Sequence, residues 1–227
     1  STSYTRSSMA DAVLFDLDGT FADTAPDLAA ALNRLRGELD LAPMPPEKLR
    51  PFTSQGVRGM LGAGLDMTPE HPNYREFYDR FLAFYTEAIC VHTTLFPGIA
   101  RLVDSLEASG RPWGIITNKA ARFTEPLMEQ LGYAKRAACI VSGDSAARPK
   151  PFPDPMHLAC SIIGRSPETC IYVGDDLRDV QAGKSVGMRT IAVRYGYLGE
   201  DQPIESWGAD FLIDDAAEIA AIAGLAC

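Results

Sequence analysis

The chain has 227 residues, 46% of them hydrophobic and 22% charged, with a formal net charge of −9. That composition fits one globular domain, or one domain carrying a smaller insertion. The negative balance argues against nucleic acid and anionic membranes as partners, and no run approaches the roughly 18 consecutive apolar residues of a membrane span.

In chain order, Ser1 to Ser8 reads as a polar, frayed segment lacking the apolar stretch of a signal peptide. Val13-Leu14-Phe15 is a short apolar run ending in Asp16, the pattern of a buried strand with functional groups at its tip. From about Ala25 to Leu95 the pattern turns helical. Leu28, Ala31, Leu32, Leu35 and Leu39 mark one amphipathic helix, and Tyr74, Phe77, Tyr78, Phe81 and Tyr85 mark another. The stretch Pro43 to Gly64 between them reads as turn-rich, and the aromatic stripe as the core of this inserted unit rather than a ligand box. Ile99, Leu102, Val103 and Leu106 then form a helical face closed by Gly110. Strand-like runs follow at Trp113 to Ile116, Ala138 to Val141, Cys170 to Val173, Thr190 to Val193 and Phe211 to Ile213. Asp154-Pro155 is placed as N-cap and N1 of a helix ending at Gly164. Strands alternating with helices give an α/β fold, a doubly wound Rossmann-like parallel sheet with an inserted α-helical cap. The expected division is a core of residues 1–24 and 96–227 and a cap of residues 25–95. The five cysteines are odd in number, widely spaced and form no C-x-x-C pair, which fits a reducing cytoplasm rather than a disulfide framework or a zinc site.

In such a sheet, ligands bind at the carboxyl ends of the strands, so the polar residues after each apolar run carry the functional reading. The first strand delivers Asp16-Leu17-Asp18-Gly19-Thr20. A turn at Asp18-Gly19 lets one surface present Asp16 as nucleophile and Asp18 as proton donor. The next strand ends in Thr117-Asn118, whose hydroxyl and amide suit a phosphoryl oxygen. Lys150 sits in Arg148-Pro149-Lys150-Pro151, where flanking prolines restrict the backbone. Gly174-Asp175-Asp176 with Asp179 is an acid cluster suited to a hard cation. Each piece alone has a bland reading as turn, helix cap or surface charge. Their appearance in order, nearly all at strand ends of one sheet, points to a common site.

These residues resemble the four signature motifs of the haloacid dehalogenase superfamily. The stretches Trp113-Gly-Ile-Ile-Thr-Asn-Lys119, Gly174-Asp-Asp-Leu-Arg-Asp179 and Ala192-Val-Arg-Tyr-Gly-Tyr197 resemble its phosphoglycolate phosphatase family, and in particular the N-acetylmuramic acid 6-phosphate phosphatase branch. Phe21 departs from the pattern, standing where an aliphatic residue is usual. The resemblance implies Mg²⁺-dependent hydrolysis of a small phosphorylated metabolite through a phospho-aspartate on Asp16. Asp18 would protonate the leaving oxygen and later activate water. Asp16, Asp175 and the Asp18 backbone carbonyl would hold Mg²⁺, and Thr117 and Lys150 would contact the other phosphoryl oxygens. Asp179 would stand behind these, holding Lys150, and Asp176 would be either a supporting residue or a weaker metal contact. The expected form is a monomer or homodimer.

Both leading substrates, phosphoglycolate and the muramic sugar phosphate, carry a carboxylate. Arg58, on an expected cap bend between Gly56 and Gly59, is the candidate anchor for it. Arg122 and Arg178 adjoin motif residues, and pairing with substrate or with solvated acids is equally open. His71, His92 and His157 show no ligand spacing, and Ser142-Gly143-Asp144 reads as a connecting turn. Asp18 argues against a dehalogenase. A beta-phosphoglucomutase-like phosphomutase shares the motifs and is the nearest rival. A receiver-like signalling domain carries similar groups but in a different chain order and in a shorter chain.

Overall fold

The computed structural model describes residues 9–226, so the expectation for Ser1 to Ser8 lies outside the described residues. Six parallel strands form the main sheet: β1 (Ala12–Phe15), β4 (Trp113–Ile116), β5 (Cys139–Val141), β6 (Cys170–Gly174), β7 (Arg189–Val193) and β8 (Phe211–Ile213). Their order is β5-β4-β1-β6-β7-β8, which puts β1 at the centre. Both faces of β1 are covered, and Ala12, Val13, Leu14 and Phe15 are all fully buried. This is why the strand reads as a continuous apolar run rather than as an alternating one. Helices α5 (Ile99–Ala108), α6 (Ala121–Leu131), α7 (Asp154–Ile163) and α8 (Leu177–Ser185) supply the crossovers, and α9 (Glu218–Ile222) follows the last strand.

The α7 start differs by one residue from the expectation. Pro153 is the N-cap, and Asp154 occupies the first turn with its carboxylate held by Arg148 at 2.9 Å instead of capping. Ion pairing with a neighbouring guanidinium has displaced the capping geometry.

Between β1 and β4 the chain leaves the sheet for a helical layer. The exit and the return are joined by a two-stranded antiparallel ladder, β2 (Ala22–Asp23) with β3 (Thr94–Leu95). The layer holds α1 (Ala25–Glu38), α2 (Pro46–Leu49), a 3₁₀ turn (Arg50–Gln55), α3 (Gly56–Leu65) and α4 (Tyr74–Glu87). The stretch read as turn-rich is therefore mostly helical. Its glycines are contact points rather than breaks: a Cβ on Gly64 would run into Leu32, and one on Gly59 into the Phe52 carbonyl and Gln55. Close helix packing has overridden glycine's low helix propensity. Asp27, on the first turn of α1, accepts bonds from the amides of Val91, His92 and Thr93 at 2.9–3.0 Å and from the Thr93 hydroxyl at 2.7 Å. No helix among the described residues is long and apolar enough to cross a membrane.

Candidate active site

The carboxyl ends of β1, β4 and β6 meet below the helical layer around a cavity of about 350 Å³. That is at the lower end of the roughly 300–1,000 Å³ of ligand pockets. Asp16, Asp18, Thr117, Asn118, Lys150, Asp176 and Asp179 all line it, and Asp175 lies fully buried beside them. The helical layer closes the opposite wall through Tyr78, Phe81, Leu82 and Tyr85 of α4 and the Ser54–Val57 segment. The aromatic stripe of α4, expected to be core only, is thus also a wall of the cavity.

Asp16 caps the central strand, with Oδ1 accepting the Leu17 amide at 2.8 Å and facing Lys150 Nζ at 3.2 Å. Burial, reinforced by the nearby Asp179 charge, raises its carboxyl well above the ordinary range, and Lys150 opposes the rise. Asp18 is held from two sides, by the Thr24 hydroxyl at 2.6 Å and by Lys119 Nζ at 2.7 Å. A Cβ on Gly19, which has φ +82°, would collide with the Asp175 carboxylate, so the Asp18-Gly19 turn needs glycine both for its φ and for this close approach.

Lys150 Nζ donates to Asp179 at 2.6 Å, the Tyr172 hydroxyl at 2.7 Å and the Ile116 carbonyl at 3.0 Å. Burial alone would lower this amine, but Asp16 and Asp179 more than compensate and raise it. The ammonium is therefore a fixed positive charge beside Asp16. Asn118, expected to touch substrate, spends its amide on the Lys150 backbone instead, with bonds of 2.9 Å in both directions. Thr117 is buried and receives the Lys119 amide on Oγ1 at 3.1 Å.

The acid cluster divides into distinct tasks. One carboxylate oxygen from each of Asp16, Asp175 and Asp179 lies within 4.8 Å of the others, a hard-oxygen set that fits a divalent cation. Asp179, however, is fully engaged: Oδ1 takes Lys150 and the Tyr172 hydroxyl, and Oδ2 takes the amides of Asp175 and Asp176. Asp176 caps α8, accepting the Arg178 amide at 2.9 Å and pairing with its guanidinium at 2.8 Å. Burial raises Asp175 to about 7, with Asp179 adding to the effect while the Tyr197 amide and the Ser54 hydroxyl oppose it. Two raised, buried carboxylates side by side are the condition that a bound cation relieves.

Arg58 does not join this group. Residues 56–65 are helical, and successive residues on a helix point about 100° apart. Val57 lines the cavity, whereas Arg58 is exposed and acts on Glu70 and Tyr74. The two other arginines do line the cavity: Arg178, which also donates to the Ser54 carbonyl at 2.9 Å, and Arg122, exposed and stacked over Phe123 at 4.6 Å. Among the described residues, no ion pair engages Arg122. The three histidines stand outside the cavity lining, and Asp144 accepts the Ala121 amide at 2.9 Å, in keeping with a connecting turn.

Sequence reasoning missed Lys119, Tyr172, Ser54 and Tyr85. Tyr172 had a signal, a hydroxyl in an otherwise apolar buried strand, which requires a partner. Lys119 had a weaker one, adjacency to Thr117-Asn118.

The family model for haloacid dehalogenase-like hydrolases matches residues 13–193. An N-acetylmuramic acid 6-phosphate phosphatase of Pseudomonas aeruginosa is 40% identical over 208 residues, 92% of each chain. A phosphoglycolate phosphatase of Xanthomonas campestris is 39% identical over 212 residues, covering 92% of this chain and 94% of the relative. A crystal structure described as a predicted phosphoglycolate phosphatase from Haemophilus somnus superposes with a TM-score of 0.83 at 25% identity, covering 94% and 97% of the two chains. With fold, motif order and relatives in agreement, the chain belongs to the haloacid dehalogenase-like hydrolases, as a phosphoglycolate phosphatase-like enzyme.

Proposed function

We propose that the protein is a Mg²⁺-dependent phosphatase that hydrolyses a small phosphorylated metabolite through a phospho-aspartate on Asp16, with residues 25–95 acting as a cap. The supporting observation is the convergence of Asp16, Asp18 and Lys150 on one cavity, with Lys150 Nζ 3.2 Å from the carboxylate that attacks. Asp16 and Asp175, with the Asp18 carbonyl, would hold the cation, whose charge lets an anionic nucleophile approach an anionic phosphate. Lys150 and Thr117 bind phosphoryl oxygens not taken by the cation. Asp18 gives its proton to the leaving alcohol oxygen and then takes one from the water that opens the acyl phosphate. Asp179 keeps Lys150 in place, and Asn118 fixes the backbone that carries it.

Relatives named for the muramic sugar phosphate and for phosphoglycolate stand at 40% and 39% identity, too close to separate the two. The cavity favours the sugar. Its aromatic wall of Tyr78, Phe81 and Tyr85 suits the apolar face of a ring, and its volume extends beyond a two-carbon ester. Arg122 at the rim is placed to meet a remote acid group. Phosphate release from N-acetylmuramic acid 6-phosphate and from phosphoglycolate, measured side by side with and without Mg²⁺, tests this. Faster turnover of phosphoglycolate would reverse the substrate choice, and full activity in excess EDTA would remove the metal.

The metal reading carries a pH signature. With Asp175 raised to about 7 in the metal-free site, a proton competes with the cation below that value. The Mg²⁺ concentration needed for half-maximal activity should therefore rise as pH falls from about 8 to about 6. A requirement that stays flat across that window would contradict the assignment of Asp175.

A further inference from the structure

Tyr85 brings a hydroxyl without a partner into the cavity. The residue is 2% exposed, and among the described residues its hydroxyl is the buried side-chain polar atom that makes no hydrogen bond. Leaving such a group unpaired costs stability unless a ligand completes it. Burial pushes this phenol up to about 12, so it remains a donor at neutral pH. Beside it, the Lys119 ammonium lies 4.8 Å from the Tyr85 ring centroid and close enough to act on the hydroxyl, though it makes no well-formed hydrogen bond to it. The Lys119 side chain is only 10% exposed, and its ammonium donates to Asp18 Oδ1 at 2.7 Å. An ammonium has three donors, so this buried cation keeps donor capacity that Asp18 does not use. Tyr85, Lys119 and Asp18 all line the same cavity.

We propose that Tyr85 and Lys119 form a leaving-group subsite, which holds an acceptor oxygen on the carbon next to the ester carbon of the substrate. The inference rests on the phosphatase reading above and goes beyond it by naming what the site selects. The position follows from Asp18: the group that protonates the leaving oxygen is in direct contact with Lys119, so an oxygen bound by this pair lies close to the scissile bond. In phosphoglycolate that oxygen belongs to the carboxylate, and in a hexosamine 6-phosphate it is the ring oxygen. Two convergent donors, one of them cationic, recognise either. Because Tyr85 comes from α4 and Lys119 from the loop after β4, the subsite is complete only when the helical layer lies over the sheet.

The test is Tyr85→Phe, which keeps the ring against Phe123 and Lys119 and removes only the hydroxyl. Values of kcat/KM are compared for phosphoglycolate, N-acetylmuramic acid 6-phosphate and ethyl phosphate, the last having no oxygen at the position in question. The preference of the enzyme for an oxygen-bearing ester over ethyl phosphate should fall about tenfold or more. The melting temperature without substrate should stay nearly level, since the hydroxyl makes no well-formed hydrogen bond in the folded protein. A larger fall for phosphoglycolate identifies the carboxylate as the bound group, and a larger fall for the sugar identifies the ring oxygen. An unchanged preference overturns the proposal, as does an equal loss on all esters accompanied by a lowered melting temperature. Absence of phosphate release from every ester by the unmodified protein would overturn the phosphatase reading, and this inference with it.

Discussion

Asp16→Asn should lower kcat by about 10⁴-fold or more while the protein stays folded. An amide oxygen is a poor nucleophile toward phosphorus, and no other carboxylate is placed at the tip of the central strand. The local structure survives because asparagine Oδ1 can still accept the Leu17 amide, now 2.8 Å from Asp16 Oδ1. Stability without metal should increase rather than decrease. The Asp16 carboxyl is raised by burial and by the Asp179 charge, so its ionised form works against folding. A raised carboxylate weakens the fold progressively as pH climbs from its unfolded-state value through its folded one. The stability advantage of Asp16→Asn should therefore widen with pH. Phosphate release and thermal melts across pH read the two effects separately. Turnover near the unmodified level, in a preparation shown by mass spectrometry to be free of deamidation, would end the nucleophile assignment.

Asp179→Ala should be the most destabilising single change at the site. The substitution strips a buried ammonium of its 2.6 Å partner and leaves the amides of Asp175 and Asp176 short of an acceptor, while the Tyr172 hydroxyl keeps the Ile116 carbonyl at 2.7 Å. Breaking a buried ion pair from one side costs about 3–5 kcal/mol. Two effects offset part of this: Lys150 retains Asp16 at 3.2 Å, and the remaining acids repel one another less. A net loss of about 3 kcal/mol, or roughly 10 °C in Tm for a chain of this size, is expected. Asp179→Asn should lose less, because its carbonyl oxygen still receives backbone amides. A loss under about 1 kcal/mol for the alanine variant would show that Lys150 is held by other means.

The strands and the order of motif residues were legible in the sequence because parallel strands buried on both faces leave continuous apolar runs. The functional groups follow those runs directly, as Asp16, Thr117 and Asp175 do after β1, β4 and β6. Lys150 was legible only through its prolines, since it follows no strand. The helical layer was harder to read. Gly56, Gly59 and Gly64 look like turn punctuation, yet within α3 Gly59 and Gly64 are spots where the 3₁₀ turn and Leu32 press against the backbone. That error carried Arg58 toward the site: on a bend it could face the cavity, but on a helix its place one residue after Val57 turns it away. Tyr85 illustrates a different limit. Its helical stripe was visible, but the pairing of α4 with the loop after β4 joins residues far apart in sequence, and no local pattern encodes it. Asn118 shows a third: residue type and position suggested a ligand contact, while the geometry assigned its amide to a neighbouring backbone.

The clasp at Asp27 bears on how the helical layer would move if it acts as the proposed cap. Its carboxylate holds three consecutive amides and a hydroxyl of the returning chain, one helical turn after the outgoing chain has left the β2–β3 ladder. Two separate linkers would let the layer tilt and twist independently about each. Tied together, the outgoing and returning strands would act in such a cap as a single pivot with few degrees of freedom. Opening of the proposed cap would then swing the layer as a plate, and each closure would return Ser54 and Tyr85 to the same register above the sheet. A loose tether would have to search for that alignment on every cycle, whereas a clasped one carries it in its mechanics.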